Sequence, residues 1–182
     1  MVMDKMNTLQ LLSGNILDYE HPELLVCEPD DMIIPLCNNC RWAGQLALGR
    51  WYSIAQHAWN TSQLVSREFA LEALWHDRSE AFTNDIVTPL KRMFPAVKAL
   101  EIQLEYRTAD ILGLPREMSP EVKVADMQML GLEVKYLRGE DPAGYRALAD
   151  VEFEHLLPLV DLTPWTPRQA YYNFHQRLKE LS

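Results

Sequence analysis

The sequence predicts an all-α fold: one helical bundle over residues 1–182, entered through a loop-rich N-terminal segment. Three observations carry this expectation. Apolar residues recur three and four apart in several windows, the windows open on Ser or Thr that is often followed by Pro, and they close on Gly or Pro. With 182 residues, of which 48% are hydrophobic and 24% charged, the chain can bury one core without disulfides or a structural metal.

The first fifty residues read as the least helical part. Asn15 to Tyr19 suits an extended segment, turn formers cluster at Pro22, Pro29-Asp30-Asp31 and Pro35, and a short helix fits between Ile33 and Trp42. Ser53 with Gln56 three residues on predicts a capping box, after which Ile54, His57, Ala58, Thr61, Leu64 and Val65 share one helical face. A second helix is expected from Phe69 or Ala70, buried through Leu71, Leu74, Trp75, Ala81 and Phe82, with His76, Asp77 and Glu80 along one edge. Thr88-Pro89 starts a short helix, and Pro95 another that runs through Val97, Leu100, Leu104 and Ile111 to a stop at Gly113. Ser119-Pro120 opens a helix in which Lys123 and Asp126, three apart, project together. Thr166-Pro167-Arg168-Gln169 opens the last, with Ala170, Tyr171, Phe174 and Leu178 as its core side.

Charge and cysteine usage exclude several classes. A net charge of -9 with no basic stripe argues against a nucleic-acid polymer as partner and leaves small anions. Three cysteines, Cys27, Cys37 and Cys40, cannot all pair, and no charged start followed by an apolar run marks secretion or a membrane span. The expected compartment is the cytoplasm, with reduced thiols and no membrane partner. Cys37-x-x-Cys40 lacks the second ligand pair of a zinc knuckle and reads as structural. Trp51, Trp59, Tyr171, Tyr172 and Phe174 exceed what one core needs and predict a homo-oligomer interface.

The chemistry lies in His57, the pair His76-Asp77 and the distant Asp126. Each of the two histidines and Asp126 falls on or beside an apolar helical face, where an uncompensated imidazole or carboxylate costs about 1 to 3 kcal/mol to bury. One shared cation removes that penalty, and two imidazoles with two carboxylates suit a borderline divalent ion.

The run His57, Ala73-Leu74-Trp75-His76-Asp77-Arg78-Ser79-Glu80-Ala81, Asn84-Asp85-Ile86-Val87-Thr88-Pro89-Leu90-Lys91 and Lys123-Val124-Ala125-Asp126 resembles the HD-domain phosphohydrolases. Within them it is similar to the bacterial 5'-deoxynucleotidases and to the dATP triphosphohydrolases of phages that replace adenine with 2-aminoadenine. The likeness spans about residues 10 to 137. It implies an HD-domain helical bundle in which His57, His76, Asp77 and Asp126 hold one Zn²⁺, Co²⁺ or Mn²⁺, with a further Mg²⁺ or Mn²⁺ arriving on the substrate phosphates. Such an ion polarises a phosphoryl oxygen and lowers the pKa of bound water toward about 7.

The resemblance further implies that Glu80 takes a proton from the attacking water and that Asp85 is a second catalytic carboxylate. It assigns Arg41, Lys91 and Lys123 to phosphate contact, and Trp42 to the sugar, where an aromatic excludes bulk at the 2' position. Residue by residue the plainer alternatives are a solvated helix face for Glu80, a turn role for Asp85, a solvated charge for Lys91 and a core position for Trp42. The expected reaction is dATP to deoxyadenosine plus triphosphate, in the host cytoplasm if a phage encodes the chain. The alternatives are 5'-deoxynucleotidase action on dNMPs and a catalytically inactive, nucleotide-binding regulatory HD protein. The loop between Arg41 and His57, with Gly44, Gly49 and Arg50, is where base selection would sit.

Overall fold

The computed structural model describes residues 7–182, so the first six positions of the expected domain lie outside the described residues. The chain is mostly helical, as read, and adds one small sheet to the helices. A two-stranded antiparallel sheet, β1 (Thr8–Gln10) and β2 (Ile16–Asp18), pairs Thr8 with Asp18, Leu9 with Leu17 and Gln10 with Ile16. The hairpin forms because Leu17 is fully buried while its flanking residues face outward, the period-two pattern of a half-buried strand. Gly14, at φ 90°, supplies the turn. Asp31 ties this hairpin down, accepting from the backbone N–H of Ser13 and of Glu28, each at 2.8 Å.

Among the described residues eight α-helices follow: α1 (Asp30–Asn38), α2 (Ile54–Thr61), α3 (Ala70–Leu74), α4 (Glu80–Thr83), α5 (Thr88–Met93), α6 (Pro95–Leu112), α7 (Pro120–Leu132) and α8 (Pro167–Leu181). The helix expected over Ile33 to Trp42 instead starts at Asp30, where two acidic residues occupy the first turn, and stops at Asn38. α6 ends at Gly113 in the left-handed region, as its sequence predicts. α7 runs on into a π-helical turn, Glu133–Arg138.

Two capping expectations divide. Thr166 and Gln169 form the complete reciprocal capping box of α8. Ser53 accepts from the backbone N–H of Gln56 at 3.1 Å, but the Gln56 side chain does not return to it. That side chain is buried and bonds the carbonyls of Asp161 and Thr163 and the N–H of Trp165, fastening α2 to the segment before α8. The long helix read from Phe69 to Phe82 is broken between Leu74 and Glu80, where three-residue turn bonds replace the helical ladder. Arg78 stabilises the break: buried, its side chain donates to the carbonyls of Trp75 and Glu105 and to Thr108 Oγ1.

The main core joins α1, α2, α3 and α8 through Met32, Ile33, Leu36, Ile54, Leu74 and Phe174. The aromatics read as an interface are largely absorbed by it. Phe174 packs edge-on against Trp75, Trp59 against Trp165, and Tyr171 donates to Asp30, which leaves Tyr172, 62% exposed, as the one of the five that faces solvent most. Cys27 and Cys37 are buried free thiols, their pKa values pushed by burial up to about 11 and about 12. Among the described residues no helix is long and apolar enough to cross a membrane.

Candidate metal centre

Three regions of the chain bring four side chains to one point. α2 delivers His57, the turn after α3 delivers His76 and Asp77, and α7 delivers Asp126. His57 Nε2 lies 3.1 Å from His76 Nε2 and 3.1 Å from Asp126 Oδ1. Asp77 Oδ2 lies 3.3 Å from His76 Nε2 and 3.6 Å from His57 Nε2. His57, His76 and Asp126 form a group that could hold a metal ion.

The hydrogen bonds behind the rings set the tautomers. His76 Nδ1 sits 2.7 Å from the carbonyl oxygen of Ala73, which can only accept, so this nitrogen carries the proton and Nε2 of the neutral ring is bare. His57 Nδ1 faces Glu133 Oε1 at 2.5 Å, with the same result. Two bare nitrogens 3.1 Å apart, flanked by carboxylate oxygens, repel one another unless a cation stands between them. Asp77, Asp126 and Glu133 bring three negative charges and Arg41 one positive charge, leaving the two that a divalent ion cancels.

The imidazoles and carboxylates of the centre also shift one another's proton affinity. Burial works against charged His57 and His76, yet Glu133 and Asp126 raise the first, and Asp77 with Asp126 raise the second well above the usual histidine range. Burial likewise opposes the carboxylate charge on Asp77 and Asp126, but the two imidazoles hold both below the usual carboxylate range.

Glu80, at the start of α4, is 8% exposed. Burial pushes its pKa well above the usual carboxylate range, and the nearby charge of Asp77 adds to the effect. Its Oε1 lies 3.4 Å from Lys91 Nζ, while Oε2 has no hydrogen-bond partner among the described residues. Lys91 is shared with Glu101 at 2.8 Å. Of the expected phosphate contacts, Arg41 reaches the centre: its Nη1 lies 3.2 Å from Asp77 Oδ2 and its Nε 3.1 Å from Glu133 Oε2. Lys123 is exposed and makes no ion pair among the described residues. It lines a cavity of about 210 Å³ beside His76, together with Lys98, Arg116, Glu72, Glu105 and Glu117.

Trp42 and Asp85 come together in a way their spacing could not show. Trp42 and Ala43 both have positive φ, 62° and 48°, a conformation that costs on the order of 1 to 3 kcal/mol per non-glycine residue and collects at functional sites. Asp85 Oδ2 accepts from the strained Trp42 backbone N–H at 2.6 Å. The indole Nε1 donates to Glu133 Oε2 at 3.1 Å, and the ring lies against Arg138, 4.6 Å away, and edge-on to Tyr145.

Sequence reasoning missed Glu133, Arg138 and Tyr145. For Glu133 a signal existed, since it stands two helical turns beyond Asp126 and therefore on the same face. Arg138 and Tyr145 carry no comparable pattern.

No family model matches the chain. The uncharacterized protein YfdR of Escherichia coli (strain K12) is 39% identical over 153 residues, which cover 84% of this chain and 83% of that protein. The uncharacterized protein RCAP_rcc00048 of Rhodobacter capsulatus is 28% identical over 145 residues, covering 71% of this chain and 72% of its own length. At the first identity and coverage, the chain belongs to the same family as YfdR.

Proposed function

We propose that the chain is a metal-dependent phosphohydrolase of deoxynucleotides with an HD-type centre, and that it hydrolyses dATP to deoxyadenosine and triphosphate. The observation that carries this reading is the convergence of His57 Nε2, His76 Nε2 and Asp126 Oδ1, joined by Asp77 Oδ2, with a buried acid beside them. His57, His76, Asp77 and Asp126 would hold Zn²⁺, Co²⁺ or Mn²⁺, which when bound supplies Lewis acidity toward a phosphoryl oxygen and a water of lowered pKa.

Glu80 has the properties of the proton acceptor. Its pKa is raised above that of an ordinary carboxylate, and Oε2, buried without a protein partner among the described residues, is left to accept from a water. As the water oxygen bonds to the α-phosphorus, Glu80 takes its proton, the bond from phosphorus to the 5' oxygen breaks, and that proton passes to the 5' oxygen, which leaves as the deoxyadenosine hydroxyl while the triphosphate keeps the oxygen of the water. Lys91, held between Glu80 and Glu101, keeps Glu80 in place. Asp85 acts through Trp42, whose strained backbone it anchors. Lys98 and Lys123, in the lining of the cavity beside His76, would engage an anionic substrate locally despite the net charge of -9, alongside Glu72, Glu105 and Glu117 of the same lining.

A second reading, a 5'-deoxynucleotidase acting on dNMPs, is favoured by one feature. Arg41 and Lys91 are each held between two carboxylates, so fewer cations stand ready for a chain of three phosphates. The test is a panel of dNTPs, dNMPs and NTPs with Zn²⁺, Co²⁺ or Mn²⁺, measuring phosphate, pyrophosphate and triphosphate separately. Triphosphate from dATP is the expected product. Orthophosphate from dAMP with dATP untouched selects the second reading, and nucleotide binding without turnover of any compound selects an inactive regulatory protein.

A further inference from the structure

Glu133 is fully buried and sits between two groups of residues that the sequence pattern had left unconnected. One of its oxygens, Oε1, receives His57 Nδ1 at 2.5 Å. The other, Oε2, receives both Arg41 Nε and Trp42 Nε1 at 3.1 Å. Arg41 then reaches Asp77 Oδ2, and Trp42 is anchored at its backbone by Asp85. A single carboxylate thus closes a ring of contacts from one candidate metal ligand, His57, to another, Asp77.

This placement is built by the helix that carries Asp126. Residues 126 and 133 lie two turns apart on α7 and its π-helical continuation, and π turns occur often at functional sites. A buried carboxylate is tolerable only when paired and fully hydrogen-bonded, and Glu133 meets that condition with a guanidinium, an indole N–H and an imidazole N–H.

We propose that Glu133 is a positioning residue for the metal centre: it keeps the proton of His57 on Nδ1, aims the bare Nε2 at the ion, and locks Arg41 and Trp42 to the same frame. The assignment rests on the metal reading given above. Glutamine isolates the claim because it keeps the size and loses one acceptor. In Glu133→Gln the amide either turns its oxygen to His57 and its NH₂ toward the donors of Arg41 and Trp42, or turns its NH₂ to His57 Nδ1. The second choice forces the His57 proton onto Nε2, where it blocks the ion.

The experiment measures Zn²⁺ and Co²⁺ affinity by chelator competition in the wild-type chain and in E133Q, with the ring nitrogens of His57 followed by ¹⁵N NMR. The expected result is a loss of affinity of about 10- to 100-fold in a folded variant, the range for removing an outer partner of a ligating histidine. Wild-type affinity in folded E133Q overturns the proposal. The unsubstituted, zinc-loaded chain gives an independent reading if E133Q does not fold: its His57 must carry the proton on Nδ1, and a proton on Nε2 overturns the proposal without any variant. A wild-type chain that retains no ion removes the metal reading itself, an outcome distinct from an E133Q variant that holds the ion as tightly as the parent. Absence of nucleotide turnover affects neither measurement.

Discussion

At the scale of single residues, Glu80 and Lys123 are where the proposed reading separates chemistry from binding. Glu80→Gln keeps the shape of the side chain and its contact with Lys91 but removes the proton acceptor, so turnover of the preferred deoxynucleotide should fall by about 10² or more, the usual contribution of a positioned base. Metal content should be unchanged, and an ordinary rate in the metal-loaded variant would return Glu80 to a packing role. Lys123→Ala should instead act on substrate, lowering kcat/KM at least about tenfold with metal affinity intact, since a charge-assisted phosphate contact is worth about 1.5 to 3 kcal/mol. An unchanged kcat/KM would place Lys123 among solvated surface charges. Much of the centre was legible at this scale because His57 and Asp126 stand on apolar faces where polar groups need a reason. Glu133 stands on such a face too, but a lone Glu spaced seven from Asp126 belongs to no short motif. The pairing of Asp85 with the Trp42 backbone was not legible, because it depends on a positive φ that sequence does not advertise in a tryptophan.

Elements were legible where their signals are local. The starts of α5 at Thr88-Pro89, of α7 at Pro120 and of α8 at the Thr166 capping box follow from residues within three positions of each terminus, although the Ser119 hydroxyl donates to Glu72 and does not cap α7. The failures are long-range. Gln56 abandons the capping box of α2 for partners at 161, 163 and 165, and the break after α3 is held by Arg78 reaching residues 105 and 108 of α6. The π-helical turn after α7 was not expected from the sequence either. Gly131, just before that turn, exposes a tight spot: a Cβ built there would run into the ring of Phe153, which forms the second core cluster with Met129 and Leu132. Gly131→Ala offers better helix propensity but overpacks this contact, so the chain should lose about 1 to 3 kcal/mol in chemical denaturation. A gain in stability would mean that the segment carrying Phe153 yields freely. Because Asp126 and Glu133 flank this position on the same helix, a parallel drop in metal affinity is expected.

For the whole molecule, an ion bound as proposed would compete with protons for one buried centre, and stability should record that competition. In the metal-free chain burial disfavours the charged form of His76, but Asp77 and Asp126 outweigh it and raise its pKa well above the usual range. A histidine raised in this way contributes stability that is complete below its unfolded pKa of about 6.5 and is lost as pH rises through the folded value. Glu80 acts in the same direction, since its charge is disfavoured by burial and by Asp77, and its contribution also fades as pH rises above the unfolded value of about 4.3. Asp77 and Asp126, held low against burial by the imidazoles, behave oppositely: their contribution is present above about 3.9 and is lost as pH falls through their folded values. The metal-free chain should therefore be most stable in weak acid and weaken toward alkaline pH. Ion binding requires neutral imidazoles, so it is opposed by protons and strengthens as pH rises. An ion at 100 times its Kd adds about 2.7 kcal/mol, and this gain grows as Kd falls. The difference in Tm between chain saturated with Co²⁺ or Mn²⁺ and chain held in chelator should accordingly be wider at about pH 8 than at about pH 6. Thermal melts followed by circular dichroism measure it directly. A difference that narrows between those two pH values would mean that His57 and His76 are not the groups exchanging protons for metal.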